Sequence, residues 1–315
     1  MVHSSAINVD TIYIMTKTLI SIVGPTAIGK TALSIKLANH FNTEILSADS
    51  RQFFKEMQIG TAAPTPEELA TAKHHFIHHK SIEDHYNVGA FEKDAINALN
   101  TLFKTYDIVI MVGGSGLYVD AVNKGLDDFP EVKNSIRETL NNDLETKGLP
   151  HLQERLELLD SVAYNTIAID NPHRVIRALE ICVGTGKPYS SFLKKGKIKR
   201  HFKTITIGLT AKRDIIYNRI NKRVDIMMQE GLLGEVKSLV PYKDLNALNT
   251  VGYKELFKYI DSEWSLDFAI SEIKKNTRRF AKRQLTWFKK NEETQWFDFT
   301  TPKEIIINCI NKNIS

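Results

Sequence analysis

The chain has 315 residues, of which 42% are hydrophobic, and its 42 Lys and Arg against 37 Asp and Glu give a formal net charge of +5. That is enough apolar material for one large domain or a domain with an insertion, and it excludes a low-complexity or unfolded polymer. The mild positive charge permits a polyanionic partner without requiring one. Cys182 and Cys309 stand alone, away from any Cys or His at metal-ligand spacing, which excludes a disulfide framework and a structural zinc site. No apolar run reaches the roughly 20 residues of a bilayer span. Met1 to Thr16 lacks the basic start and apolar stretch of a secretory signal, so a soluble cytoplasmic protein is expected.

Short β-branched apolar runs recur at Leu19–Val23, Glu44–Ser47, Ile108–Val112, Ile205–Leu209 and Trp296–Phe299, separated by amphipathic helical stretches. The run Ile108-Val109-Ile110-Met111-Val112 has no polar alternation, as expected of a parallel strand covered on both faces. Between about Asp127 and Lys199 the strand signal vanishes, and Ser135–Leu144, Leu152–Leu159 and Pro172–Val183 carry helical periodicity. The fold class expected is α/β, a P-loop NTPase-like parallel sheet core (1–126 and 200–315, the latter with basic C-terminal helices) carrying a helical insertion domain (127–199). From Asp214 to Phe288 the chain reads as mostly helical.

Gly24-Pro25-Thr26-Ala27-Ile28-Gly29-Lys30-Thr31 fits G-x-x-x-x-G-K-[ST], directly after a predicted strand and before a helix carrying Leu33, Leu37, Ala38 and Phe41. The spacing has a physical reason. Glycines let backbone N–H groups curl around a phosphate, Lys30 adds a positive charge, Thr31 can ligate Mg²⁺, and the helix N-terminus adds its dipole. The pattern identifies a phosphate, not a nucleotide.

The second predicted strand runs into Ser47-Ala48-Asp49-Ser50, placing Asp49 at the carboxyl edge of the sheet, where open α/β folds bind ligands. An aspartate there suits Mg²⁺ binding, general-base work or a simple turn. Val112-Gly113-Gly114-Ser115-Gly116-Leu117-Tyr118 leaves the next strand at the same edge, its glycines open to a ligand's approach or to a turn. On the helix Asp214–Met228, Arg219 and Arg223 sit four apart, a ridge able to clamp a diphosphate. No Walker B strand coupled to a hydrolysis switch and no GTPase base-recognition motif is present, which argues against a motor or switch protein.

From Lys274 to Lys290 the run KKNTRRFAKRQLTWFKK holds eight Lys/Arg and no acid, a credible nucleic-acid surface. Its Phe280 and Trp287 have helical spacing and are expected to pack on the core. A second run, Lys194–Lys203, reads either as another contact or as a solvated hairpin. The run His74-His75-Phe76-Ile77-His78-His79 has no HExxH pattern and no nearby Cys, so neutral histidines on a surface segment are expected.

Together these residues resemble the bacterial tRNA dimethylallyltransferase family. The likeness runs through GPTAIGKT, SADS at 47–50, IGTAAP at 59–64, VGGSGLY at 112–118, NPHRVIRALE at 171–180, VGYKEL at 251–256 and KRQLTWFKK at 282–290. It implies that the loop holds the diphosphate of dimethylallyl diphosphate instead of an ATP phosphate, with transfer of the prenyl group to N6 of the adenosine 3′ to the anticodon, position 37. Asp49 is implied as the base, Lys30 and Ser115 as groups at the reaction centre, and Thr26–Thr31 with Arg223 as the diphosphate cradle. Mg²⁺ on Thr31 and Asp49 is the expected cofactor. Contacts to tRNA are implied at Asp49, Ser50, Arg51, Gln52, Ser115, Arg137 and His173-Arg174-Val175-Ile176-Arg177. The insertion would grip the anticodon arm.

Three departures accompany the likeness. Ser115 stands where the family commonly has threonine, His173 where glutamine is usual, and Ile28 where a small polar residue is frequent. No zinc-finger extension of the eukaryotic kind and no membrane partner are expected, and the chain is expected to act as a monomer. A small-metabolite P-loop kinase using ATP and a non-catalytic RNA-binding P-loop module are the rival readings.

Overall fold

A computed structural model describes residues 17–193 and 198–314, so the expectations for Met1–Thr16 and for Lys194–Lys197 lie outside the described residues. In chain order come β1 (Thr18–Val23), α1 (Lys30–Phe41), β2 (Ile45–Ser47), α2 (Pro66–Thr71), β3 (His74–His75), α3 (Val88–Leu102), β4 (Ile108–Val112) and α4 (Gly116–Lys124). Three helices follow, α5 (Asn134–Leu159), α6 (Ser161–Thr166) and α7 (Pro172–Thr185). The remainder is β5 (Lys203–Thr210), α8 (Arg213–Gln229), α9 (Leu232–Ser238), α10 (Tyr253–Ile260), α11 (Leu266–Phe288), β6 (Gln295–Asp298) and α12 (Lys303–Ile314). The described residues form two compact units, one of 17–124 with 200–314 and one of 125–193 with 198–199.

The first unit is built on one parallel sheet of order β3-β2-β4-β1-β5-β6. Strand periodicity sorts its side chains between two helical layers. Leu19 and Val23 pack with Phe91 and Leu99 of α3, whereas Ile20 and Ile22 pack with Leu37 of α1 and Ile307 of α12. Each such Leu or Ile contributes about 1.5–3 kcal/mol by leaving water. A separate cluster joins Val224 of α8, Val236 of α9, Tyr253 and Leu256 of α10 and Ile273 of α11. The register fixes where ligands can meet, because Ile22 and Ser47 both stand opposite Val112. The segments leaving β1, β2 and β4 therefore emerge side by side.

The histidine run departs from expectation. His74 and His75 form edge strand β3, pairing with Ile45 and Leu46, and the run is half-buried instead of a solvated surface segment. His75 Nε2 lies 2.6 Å from Glu44 Oε2, and His79 is ringed edge-on by Phe53, Phe76 and Tyr86. A two-residue strand is too short for a period-two signal, and histidine carries no strand preference, so the sequence hid it. The basic run also differs: Arg200 donates to the Val122 carbonyl and pairs with Glu92, and Phe202 is buried. Arg200 through Lys203 thus lead into β5 instead of forming a solvated hairpin, with His201 and Lys203 exposed.

In the second unit α5 turns at Gly148, whose φ of 82° and ψ of 171° interrupt the helix two residues before Pro150. The sequence pattern separates Ser135–Leu144 from Leu152–Leu159 at this break. Leu140, Leu152 and Leu156 of α5 pack on Val175, Ile176 and Leu179 of α7. α7 starts with Asn171, whose side chain accepts from His173 N, and Pro172 follows at the first helical position.

Candidate active site

The phosphate-loop segment bends from β1 into α1 through left-handed backbone at Ala27 (φ 63°) and at the helix N-cap Gly29 (φ 108°). Ala27 and Ile28 bury their side chains in the core, so the loop presents backbone N–H groups to the cleft, and Ile28 replaces no ligand-facing group. Three long side chains brace it. Lys30 Nζ donates to Pro25 O at 2.8 Å, Arg219 Nε to Ala27 O at 2.7 Å, and Arg223 reaches Thr26 Oγ1 at 3.4 Å. Arg219 is thereby partly committed to the loop instead of being a free half of a clamp.

Sequence reasoning missed Gln284. It is only 5% exposed, accepts from Thr26 N through Oε1 (2.8 Å) and donates from Nε2 to Gly114 O (2.9 Å), tying the phosphate loop to the segment after β4. Its signal was an uncharged amide sharing the buried helical stripe of Ala281 and Phe288. Gln284 also explains a glycine. A Cβ on Gly114 would lie 2.4 Å from its Nε2, and one on Gly113 would lie 2.5 Å from Ala48 O. These glycines thus make room for protein neighbours, and ligand approach is not what requires them.

Asp49 follows β2 and accepts from Arg51 N at 3.2 Å through Oδ1. Burial pushes its carboxyl above the usual carboxylate range, opposed by that backbone bond and by the charges of Lys30, Arg51 and Arg223. Lys30 is pulled down to about 8 by desolvation, with Asp49 opposing and Arg223 adding to the fall. Arg223 is likewise lowered, by burial and then by Arg219. Several cations thus share one carboxylate in a poorly solvated space, which is an environment that favours an added anion.

Ser115 Oγ accepts from Ser50 N and lies 3.0 Å from Ser50 Oγ, so a hydroxyl pair stands beside Asp49. Arg51 points elsewhere: its guanidinium donates to Asn246 O (3.0 Å) and Ala247 O (2.9 Å), fixing that loop. Gln52 is also engaged internally, with Thr61 O and Ala62 O. Both side chains are thus committed to protein carbonyls, while Arg51 also lines the second of the clefts described next and Gln52 the first.

Two clefts, of about 710 and about 580 Å³, open from this centre. Both are lined by Thr26, Lys30, Asp49, Thr61, Ala62 and Arg223. The first adds Thr31 and Arg219; the second adds Ser115, Tyr118, Phe280 and Trp287. The phosphate loop and an aromatic-lined opening therefore meet at Asp49.

In α11 the basic run divides. Lys274 pairs with Asp225 (2.6 Å), Lys275 with Glu272, and Arg278 donates to Asn221 (2.7 Å), whereas Lys282, Arg283, Lys289 and Lys290 are exposed. Phe280 and Trp287 remain 38% and 36% exposed, against the expectation of core packing, although Trp287 Nε1 is held by Asp120 Oδ2 at 2.8 Å. In the helical unit Arg137 grips buried Glu180 with two bonds of 3.0 and 2.9 Å, and Arg177 adds a third at 2.8 Å. His173 and Arg174 are exposed on α7. Val175 and Ile176 face the core of that unit, 0% and 2% exposed, and offer no side chain to a partner. Helical periodicity separates these neighbours.

Among the described residues no helix is long and apolar enough to cross a membrane. The family model for IPP transferase matches residues 52–291. A tRNA dimethylallyltransferase of Christiangramia forsetii is 60% identical over 96% of this chain and 100% of its own length, and that of Flavobacterium johnsoniae is 58% identical over 95% and 98%. The crystal structure of a tRNA isopentenylpyrophosphate transferase from Bacillus halodurans matches at 37% identity, TM-score 0.69, covering 95% of this chain and 97% of that one. A eukaryotic dimethylallyltransferase acting on tRNA matches at 28% identity, TM-score 0.79, covering 95% and 78%. With its phosphate loop, sheet order and nearly full-length identity to these enzymes, the chain belongs to the tRNA dimethylallyltransferase family.

Proposed function

We propose that this enzyme transfers a dimethylallyl group from dimethylallyl diphosphate to N6 of the adenosine at position 37, 3′ to the anticodon, of a tRNA. The observation that carries the reading is the meeting of two clefts at Asp49, one holding a phosphate loop with Arg219 and Arg223, the other opening past Ser115 and Tyr118 toward exposed aromatic and basic residues of α11. A kinase would place its phosphate acceptor there, but the relatives' names are prenyltransferases of tRNA, and no observation favours ATP or a non-catalytic role.

The exocyclic amine of adenine is a poor nucleophile because its lone pair is delocalised into the ring. Help is needed at both ends of the bond. The N6 lone pair attacks C1 of the dimethylallyl group, the C1–O bond breaks with its electrons leaving on the diphosphate, and Asp49 accepts the N6 proton. Lys30, Arg223 and the loop amides oppose the charge growing on the leaving diphosphate. Ser115, bonded to the Ser50 that follows Asp49, helps hold that carboxylate's segment beside the acceptor.

Thr31 and Asp49 both line the first cleft and offer a hydroxyl and a carboxylate, the hard oxygen donors that suit Mg²⁺. The excess of cations over carboxylates is consistent with a metal that arrives bound to diphosphate. The ion would supply charge neutralisation at the diphosphate oxygens. Exposed His173 and Arg174 on the helical unit, Arg137 and Arg177, which pair with Glu180 yet keep side chains 46% and 40% exposed, and Lys282 and Arg283 on α11 with Lys289 and Lys290 just after it are the proposed phosphate contacts to the anticodon arm. The base at position 37 lies in a single-stranded loop and is cheap to unstack. A soluble cytoplasmic monomer fits this substrate.

The deciding assay mixes the protein with Mg²⁺, labelled dimethylallyl diphosphate and unmodified tRNA, with ATP offered separately. Transfer of label to an adenosine N6 is expected. ATP turnover without transfer would overturn the reading.

A further inference from the structure

Glu235, on α9, plays no part in the chemistry above, yet its carboxylate takes four donors. Oε2 accepts from Gln58 N (3.0 Å) and Ile59 N (2.7 Å); Oε1 accepts from Gly60 N (2.9 Å) and Tyr253 Oη (2.7 Å). Three successive backbone amides form a concave anion site, and a side chain of the protein itself fills it. Tyr253 is completely buried, and the approach to it is so close that a Cβ on Gly60 would stand 2.6 Å from its ring. The glycine is required by this contact.

The segment so anchored is the wall of the reaction centre. Thr61 and Ala62 line both clefts, and Ile59 and Pro64 extend the wall of the first. Gln52 holds the downstream half through Thr61 O and Ala62 O, and its own N–H donates to Asp49 O at 3.1 Å. Ala62 is kept at φ 49°, a left-handed conformation that residues with a side chain rarely adopt unless their surroundings impose it. The wall is therefore under constraint from both ends, one end tied to the Asp49 segment and the other to Glu235.

We propose that Glu235, oriented by Tyr253, is a positioning residue that sets the 58–64 wall against the prenyl diphosphate. The proposal rests on the prenyl-transfer reading and deepens it. Glu235 touches neither reacting group. Its loss leaves three amide donors facing inward without an acceptor, so the wall shifts to satisfy them and the prenyl diphosphate loses its fit. The tRNA contacts proposed on α11 and on the helical unit are unaffected.

The test compares the parent with Glu235→Gln, Glu235→Ala and Tyr253→Phe at a temperature where circular dichroism shows each folded. Glu235→Gln keeps the size but offers an NH₂ group to amides that need an acceptor. It is expected to raise KM for dimethylallyl diphosphate fivefold or more, with KM for tRNA and kcat within threefold. Glu235→Ala, if folded, exceeds that effect, and Tyr253→Phe, which removes only one of the four donors, stays below it. A KM change for the diphosphate under fivefold in Glu235→Gln, or an equal rise in KM for tRNA, overturns the proposal. Titration calorimetry with dimethylallyl diphosphate alone gives the same comparison without turnover. A parent that binds dimethylallyl diphosphate without transferring it refutes the function and leaves the wall testable.

Discussion

The two ends of the proposed reaction centre are built by different means. The phosphate end is a contiguous segment, 24–31, working through backbone N–H groups, with only Lys30, Arg219, Arg223 and Gln284 added. The acceptor end is assembled from Asp49, Ser115, Tyr118, Phe280 and Trp287, which come from three separate stretches of chain and act through side chains. A backbone site tolerates side-chain change, as Ile28 shows by burying its side chain in the core. A side-chain site does not, so substitutions should separate the two ends kinetically.

The largest expected effect is at the acceptor end. Asp49→Ala should lower kcat by about 10²–10⁴-fold, the usual contribution of a positioned base, while filter binding finds tRNA affinity within a few-fold of the parent. A near-normal kcat would remove the base assignment and with it the contrast. At the phosphate end, Arg223→Ala should raise KM for dimethylallyl diphosphate about 10–100-fold, following roughly 1.5–3 kcal/mol for a charged hydrogen bond, and leave KM for tRNA alone.

A pH profile sharpens the same contrast. Lys30 must be protonated to hold the diphosphate, and its value of about 8 means that kcat/KM for the diphosphate falls as pH rises past that point. Lys30→Arg should move this limb upward. Asp49 must be deprotonated, and burial has raised its carboxyl, so the acid limb lies above that of an ordinary carboxylate. Stopped assays from pH 5 to 10 would show both limbs.

Outside the two ends the effects shrink. Arg283→Ala should weaken tRNA binding a few-fold and reduce the salt slope by about one, as loss of one phosphate contact does. The same change at ion-paired Lys274 should do less. The smallest effect concerns stability. Burial lowers His79 to about 4, so its neutral form stabilises the fold above the ordinary histidine range, and that contribution is lost as pH falls from about 6.5 toward 4. His79→Phe should flatten the dependence of Tm on pH across that window.

Much of the fold was legible. β4 announces itself as the uninterrupted apolar run Ile108–Val112, and β1 and β5, although Ser21, Thr204 and Thr206 break their apolar runs, are rich enough in β-branched residues to be read as strands. Strand β3 escaped because two histidines carry no period. The burial of Val175 and Ile176 beside exposed His173 and Arg174 follows from helical geometry, which a motif read as a linear string does not respect. Arg51 and Gln52 were expected as RNA ligands on the family resemblance, which carries no information on their carbonyl partners at 246–247 and 61–62 in other loops.

The sequence by itself marked the 24–31 turn between β1 and α1, the apolar strands and the helical character of the insertion, because turn chemistry and periodicity are written in neighbouring residues; which strands pair rests on partners as distant as Thr18 and Lys203. Tertiary structure alone decided that Gln284 bridges Thr26 and Gly114, that the glycines after β4 accommodate Ala48 and Gln284, and that Glu235 anchors the wall beside Asp49. These are single hydrogen bonds or close approaches between residues 65 to 258 positions apart. No local pattern encodes such a pairing; it exists only once the sheet register and the packing of α9 and α11 have brought the partners together.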